Sequence, residues 1–256
     1  MMQTDMIIKK YTFGGVCFEI RSELPLLTVP KYEEFLSDDT AKSDYIFEII
    51  PDRTNSTSLS GTVREGNRFR FTVSEKYISG LGVGHVLSSA NAAYVFPEHD
   101  GFILHASYIL YRGEAILFSA PSGTGKSTQA AFWKEHRGAE IINGDRVLVI
   151  KRDGVFYACG VYVSGTSGIC RNSTAPLRNL VILEQGENNE LVPLKARELF
   201  LRILCQCTFD MHDHTQYGKI TELVSDVINT VPVCCYRCRC NPDSVEELER
   251  LLWNKK

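Results

Sequence analysis

The spacing of hydrophobic and polar positions changes near residue 100. Before that point, short runs rich in aromatic and β-branched residues predict strands, at 11–20, 45–50 and 69–73. We find no cluster of catalytic residue types among them. The pattern therefore predicts a β-rich N-terminal portion over residues 1–95, which packs against or presents a site built elsewhere.

After residue 100, strand-like runs alternate with helix-like ones. Two apolar runs joined by Arg112, Gly113 and Glu114 predict a hairpin with a three-residue loop, which would pair residue 111 with 115 and residue 105 with 121. The other predicted strands are at 139–143, 147–151, 155–159, 180–183 and 231–240. The predicted helices are at 126–137, 195–207 and around 220–228, and a last one starts near Asp243, which has capping-box spacing with Glu246. This alternation predicts an α/β domain over residues 96–256.

The sharpest motif lies at residues 120–127 (APSGTGKS), between a predicted strand and a predicted helix. It is a Walker A pattern, or P-loop, with Ala120 at the position of the first glycine. Glycines let such a loop curl so that successive backbone N–H groups face a polyphosphate, and the helix start adds its positive dipole end. The motif therefore predicts a nucleotide phosphate site.

The nucleotide-binding residues predicted from this loop have distinct roles. Lys126 supplies a cation to the β- and γ-phosphates, and Ser127 supplies a hydroxyl ligand to Mg²⁺. The remaining predicted phosphate contacts are Ser122, Gly123, Thr124, Gly125 and Thr128. The predicted cofactors are ATP and Mg²⁺, because the Asn-Lys-x-Asp run of GTPases and the Leu-Ser-Gly-Gly-Gln run of transport ATPases are absent from the sequence.

Two further residues are predicted to lie beside the loop. If strands 115–119 and 139–143 are joined by a crossover helix, their ends open on one sheet edge, and Asp145 lies next to the metal. There it would bind Mg²⁺, orient a water or accept a proton, unless it is a solvated turn residue. The predicted hairpin register places His105 at the mouth of the loop, although a histidine on an apolar strand also fits a buried structural role.

Three segments together resemble a known group of kinases, namely residues 105–107 (HAS), 115–128 (AILFSAPSGTGKST) and 141–146 (IINGDR). They are similar to the HPr serine kinase/phosphorylase superfamily, relatives of ATP-dependent phosphoenolpyruvate carboxykinase, and in particular to its compact bacterial HPr-kinase-like members. The resemblance implies a P-loop, phosphoenolpyruvate carboxykinase-like fold, with His105, Lys126 and Asp145 as catalytic residues and Ser127 and Asp145 at the metal.

The sequence also departs from this family. HPr kinases carry paired aspartates where this chain has Gly144 and Asp145, and their signature with a metal-binding glutamate is replaced by a glycine-rich run at 160–171. Arg146 and Arg171 are cationic candidates for stabilising a transferring phosphoryl group, or else surface residues.

Composition limits the remaining classes. A net charge of −3 excludes an overall basic surface for nucleic acid. A run of about 18 apolar residues, as a membrane span needs, is absent from the sequence, and so is a signal-peptide pattern, which predicts a cytoplasmic protein. The nine cysteines predict reduced thiols, and a zinc site among residues 205–240 is disfavoured by their spacing.

The sequence thus predicts a kinase that transfers the γ-phosphoryl group of ATP to a hydroxyl, with serine of a protein or peptide as acceptor. One alternative is a non-catalytic nucleotide-sensing or peptide-binding accessory protein. Another is a small-molecule kinase or carboxykinase-like enzyme. Assembly into a homo-oligomer is left open by the sequence.

Overall fold

A computed structural model describes residues 6–27, 29–54, 62–78, 80–89, 94–209, 213–239 and 241–253. The chain divides into two compact units, Met1–Ala92 and Ala93–Lys256. Within the described residues, no helix has both the length and the apolar composition that crossing a bilayer requires.

The N-terminal unit is built on a five-stranded sheet with the order β1-β2-β3-β5-β4. Its elements are β1 (Ile7–Phe13), β2 (Val16–Ser22), β3 (Tyr45–Asp52), β4 (Thr62–Glu65), β5 (Arg68–Ser74), α1 (Glu75–Ile78) and α2 (Val83–Ser89). Aromatic side chains fill its core, and the rings of Phe13 and Phe18 stack at 4.7 Å. Strands β3 and β5 lie over the predicted runs at 45–50 and 69–73. A single strand at 11–20 is wrong, because Gly14 and Gly15 have positive φ and turn the chain into a β1–β2 hairpin.

The second unit contains a nine-stranded sheet with helices on both faces. Its elements are β6 (Gly101–Tyr111), β7 (Glu114–Ser119), α3 (Lys126–Arg137), β8 (Glu140–Asn143), β9 (Arg146–Arg152), β10 (Val155–Gly160), β11 (Thr174–Gln185), β12 (Glu190–Val192), α4 (Ala196–Leu204), β13 (Cys207–Thr208), α5 (His214–Thr230), β14 (Val233–Cys238) and α6 (Asp243–Trp253). The sheet order is β10-β9-β6-β7-β11-β14-β12, with β8 and β13 also paired to β6.

Apolar side chains hold the helices on the two faces of this sheet. One core cluster joins α3 and α6 to the sheet through Trp133, Val245 and Leu248. The other joins α4 and α5 through residues such as Ile203 and Leu223. Each helix buries one stripe, as amphipathic helices do, so the mixed α/β architecture follows from the sequence pattern.

Strand directions bring several strand ends to one edge. Strands β7, β11 and β14 are mutually parallel, while β6 is antiparallel to both β7 and β8. Consequently β7 and β8 run the same way, and the segments that follow them, which carry the P-loop and Asp145, leave the sheet at the same edge.

The structure corrects the predicted β6–β7 hairpin. Tyr111 pairs with Glu114, so the loop contains only Arg112 and Gly113, whose φ values are +53° and +80°. Positive φ at both loop positions gives the turn whose twist matches the flanking strands. Ala106 pairs with Ser119, so the predicted pairing of residues 105 and 121 is wrong by one residue.

The predicted helix at 195–207 is too long. The helix α4 ends at Leu204, and Cys207 and Thr208 form β13, which pairs with Leu104 and Ile103 of β6. The backbone hydrogen bonds offered by β6 outweigh the helical spacing of the last residues, a tertiary effect that local periodicity does not reveal. This change of direction brings Gln206 onto β6.

Candidate functional site

The P-loop has the strand–loop–helix geometry that anion binding requires. It leaves the end of β7 at Ser119 and enters α3 at Lys126, with Gly125 as the residue before the helix. Gly123 and Gly125 have φ values of +79° and +110°, a region that side chains with a Cβ rarely adopt. The two glycines therefore permit the curl that turns backbone N–H groups toward a phosphate chain.

Lys126 is folded into this loop. Its side chain is buried, and Nζ donates hydrogen bonds to the carbonyl oxygens of Ala120 (2.8 Å) and Pro121 (3.2 Å). Burial lowers the pKa of Lys126 below its ordinary value, while the charge of Asp145 acts in the opposite direction. A polyphosphate in the loop would place anionic oxygens beside this buried ammonium.

The predicted metal ligands come from two elements that meet at the sheet edge. Ser127 Oγ lies 3.5 Å from the carbonyl oxygen of Gly144, directly before Asp145. A hydroxyl and a carboxylate are oxygen donors of the kind that Mg²⁺ prefers. The donor set therefore fits a magnesium ion bound together with nucleotide phosphates.

His105 and Asp145 form a pair at the same edge. His105 Nε2 lies 3.4 Å from Asp145 Oδ1, and Nδ1 lies 3.1 Å from Oε1 of Gln206. The contact with His105 lowers the pKa of the Asp145 carboxyl, and the charge of Arg146 adds to this effect against the cost of burial. Asp145 is thus a carboxylate at neutral pH, able to accept a proton or bind a cation.

A buried asparagine holds this aspartate in place. Asn143 is fully buried, and its Oδ1 accepts hydrogen bonds from the backbone N–H groups of Asp145 (2.9 Å) and Arg146 (3.1 Å). Its Nδ2 donates to the carbonyl oxygens of Val161 and Val163. The sequence analysis assigns no role to Asn143 or Gln206. For Asn143 a signal exists, because Asn commonly bonds to backbone two residues ahead in a turn.

The glycine-rich segment packs against the Asp145 turn. A Cβ added to Gly144 would lie 2.2 Å from Ser167 Oγ, and one added to Gly165 would lie 2.8 Å from the Asp145 side chain. Gly144 is therefore required by the close approach of Ser167. A second carboxylate at position 144 has no space in this arrangement.

Replacing Gly144 with alanine is expected to destabilise the protein by about 1–3 kcal/mol through overpacking against Ser167. The double variant with Ser167→Gly should recover most of that loss, because it removes the clashing atoms. Thermal unfolding measures both. Gly218→Ala is the control, since among the described residues a Cβ added there meets nothing within 4 Å beyond its chain neighbours and the nearby backbone of its own helix. Equal losses for the single and double variants would contradict this account.

The two arginine candidates have different surroundings. Arg146 Nε lies 3.5 Å from Asp145 Oδ2, and its Nη1 donates to Thr208 Oγ1 at 2.6 Å. The Arg171 guanidinium instead pairs with Glu140, and its side chain is 53% exposed. Only Arg146 of these two is therefore held at the Asp145 carboxylate.

Other predicted site residues line the loop itself. Ser122 and Gly123 are exposed at its tip, and Thr128 is exposed in the first turn of α3. Within the described residues, no group of three or more His, Cys, Asp or Glu side chains could hold a metal ion by itself. Two side chains of the zinc site that the cysteine spacing disfavours, His212 and Cys240, lie outside the described residues.

No family model matches the chain. The chain is 29% identical over 131 residues to the circadian clock protein KaiC2 of Synechocystis sp., and the match covers 48% of this chain but only 22% of that protein, about a fifth of its length. The HPr(Ser) kinase/phosphatase of Coxiella burnetii matches with a TM-score of 0.35 and 14% identity, covering 58% of this chain and 94% of that one.

The fold and the geometry of the site define the class of this protein. It is a mixed α/β domain with a P-loop between a strand and a helix, and with an ionised aspartate at the same sheet edge.

Proposed function

We propose that the protein is an ATP- and Mg²⁺-dependent kinase that transfers the γ-phosphoryl group to a hydroxyl, with serine of a protein or peptide as acceptor. One observation carries this proposal. The Asp145 carboxylate, 3.4 Å from His105, follows β8 at the edge where the P-loop follows β7, and Ser127 of the loop faces Gly144 beside it. The choice of serine rests on the resemblance to HPr kinases.

In this proposal the loop positions the nucleotide. Lys126 moves from the carbonyl oxygens of Ala120 and Pro121 to the β- and γ-phosphates, while backbone N–H groups of residues 122–128 surround the phosphate oxygens. Ser127 and Asp145 are the residues that would hold magnesium. When bound, that ion neutralises charge on the phosphate oxygens during transfer.

The chemical step is a displacement at the γ-phosphorus. The acceptor hydroxyl oxygen forms the new P–O bond, the bond to the bridging oxygen of ADP breaks, and ADP keeps the electron pair. Asp145 accepts the hydroxyl proton, and His105 stabilises and orients its carboxylate. Arg146 lies near enough to Asp145 to help offset negative charge at this edge.

A second candidate function is a non-catalytic nucleotide sensor or peptide-binding accessory protein. The observation that favours it is at position 144, where this chain has glycine and HPr kinases carry one of two aspartates. Ser167 lies so close to Gly144 that a side chain has no space there. Such a protein would bind ATP tightly without turning it over. The two functions therefore differ in phosphoryl transfer and agree in nucleotide binding.

The test uses ATP labelled with ³²P at the γ-phosphate, Mg²⁺ and pools of peptides that contain serine. We expect label on serine, and no label on matched pools in which alanine replaces serine. ATP binding without transfer to peptides or to small hydroxyl compounds would favour the accessory role. Transfer to small hydroxyl compounds alone would identify a small-molecule kinase.

A further inference from the structure

A cleft of about 780 Å³ adjoins the P-loop on the side of β11. One wall is the loop itself, residues 119–124. The second is the end of β11 at Ile182–Gln185, and the third is α4 with the two residues that follow it. Gln185 Nε2 donates to the carbonyl oxygen of Gly123 at 3.3 Å, which ties the end of β11 to the loop. The volume lies within the usual range of pockets for small ligands.

The strand order determines which end of a nucleotide would face this cleft. The sheet runs β6-β7-β11, and β8 with Asp145 lies beyond β6, on the opposite side of β7 from β11. In phosphoryl transfer the metal bridges the β- and γ-phosphates. If the β- and γ-phosphates lie at Ser127 and Asp145, the α-phosphate and the nucleoside extend away from β8, toward β11.

The walls carry apolar and hydrogen-bonding groups that could bind a nucleoside. Leu201 and Cys205 of the α4 wall are exposed, and together with Pro121 of the loop they offer apolar surface for the faces of a base. Gln185 and Gln206 offer amide donors and acceptors for polar edges of base and ribose.

Two arginines at the rim are held in place by one carboxylate. Glu184 accepts from Arg237 Nη2 at 3.0 Å and also pairs with Arg202. The stem of Arg237 lies across Gly186, where an added Cβ would be 2.3 Å from Arg237 Cγ. Planar guanidinium groups fixed in this way can stack on an aromatic base.

We infer that this cleft is the nucleoside-binding part of the site, with a purine base against Leu201 and Cys205. The inference rests on the proposed function, because it assumes that the P-loop holds the phosphates of the same nucleotide. An acceptor peptide is the competing occupant of the cleft.

Cys205 provides a direct test in the full chain. N-ethylmaleimide is added with Mg²⁺ and no ligand, tripolyphosphate or ATP, and modification of Cys205 is followed by mass spectrometry. Cys207 is an internal control in the same tryptic peptide, because burial raises the pKa of its thiol and we expect it to react more slowly than Cys205. We expect ATP at ten times its Kd to slow the labelling of Cys205 by about tenfold, because only about one cleft in ten is then free of ATP. Tripolyphosphate should leave the rate unchanged.

The outcomes separate the two proposals. ATP that binds but does not slow the labelling of Cys205, or tripolyphosphate that slows it equally, overturns the nucleoside assignment alone. Labelling slowed by an acceptor peptide and not by ATP assigns the cleft to the acceptor instead. If thermal shifts detect binding of neither ATP nor tripolyphosphate, the proposed function fails, and this inference fails with it.

A tryptophan variant tests the same assignment without relying on the reactivity of Cys205. Leu201→Trp should fill the cleft and raise the Kd for ATP about tenfold, while the Kd for tripolyphosphate stays the same. The control is Leu191→Trp, an exposed leucine of β12 outside the cleft. Equal weakening of both ligands by Leu201→Trp, or no change in either, contradicts the assignment.

Discussion

Replacing Lys126 with alanine is expected to weaken ATP binding by about 2–5 kcal/mol, roughly 30-fold to several thousandfold in Kd. The variant removes the buried cation that would pair with the β- and γ-phosphates, and an oxyanion left there without it is costly to desolvate. Isothermal titration calorimetry with ATP and Mg²⁺ measures the loss.

The matched control for this variant is Lys134→Ala. Lys134 lies on the same helix, α3, but its side chain is exposed. Both variants should keep the circular dichroism spectrum of the parent protein. Tight ATP binding by a folded Lys126→Ala protein would show that the loop is not the phosphate site, and both proposed functions would then be wrong.

The second large effect is expected for Asp145→Asn. An amide of the same size cannot accept a proton, so the rate of phosphoryl transfer should fall by about 10²- to 10⁴-fold. Binding of ATP without Mg²⁺ should change little, because the loop and Lys126 are intact. Single-turnover transfer of γ-³²P to the peptide and calorimetry separate these two quantities.

A turn aspartate elsewhere supplies the control. Asp153 occupies the β9–β10 turn with φ of +48°, a conformation that asparagine also tolerates, so Asp153→Asn should leave the transfer rate unchanged. If Asp145→Asn transfers phosphate as fast as the parent, this carboxylate is neither the base nor an essential metal ligand. The accessory role predicts no transfer in either protein.

Local sequence was informative wherever a feature depends on neighbouring residues. The helix at 126–137 and its end at Gly138 are confirmed, because an amphipathic stripe and a glycine with positive φ are local properties. The P-loop is also a local feature, since its curl depends on Gly123 and Gly125 and on the strand and helix that flank it. The predicted roles of His105, Lys126 and Asp145 stay predictions until these experiments are made.

The register of the β6–β7 hairpin shows where local rules fell short. The dipeptide Arg112-Gly113 fits a two-residue loop only if arginine accepts a positive φ, which is uncommon for a residue with a side chain. Strand pairing along the whole of β6 outweighs that local cost. The structure still brings His105 to Asp145, through contacts that differ from the predicted pairing.

By itself, the sequence therefore determined the α/β class and the glycine-rich loop between a strand and a helix, and it predicted which residues would do the chemistry there. Only the tertiary structure decided which of them meet. His105 and Gln206 are 101 positions apart, Gly144 is confined by Ser167, and the cleft takes its walls from the loop, β11 and α4. Such contacts depend on how distant segments pack, and spacing along the chain carries no information about them.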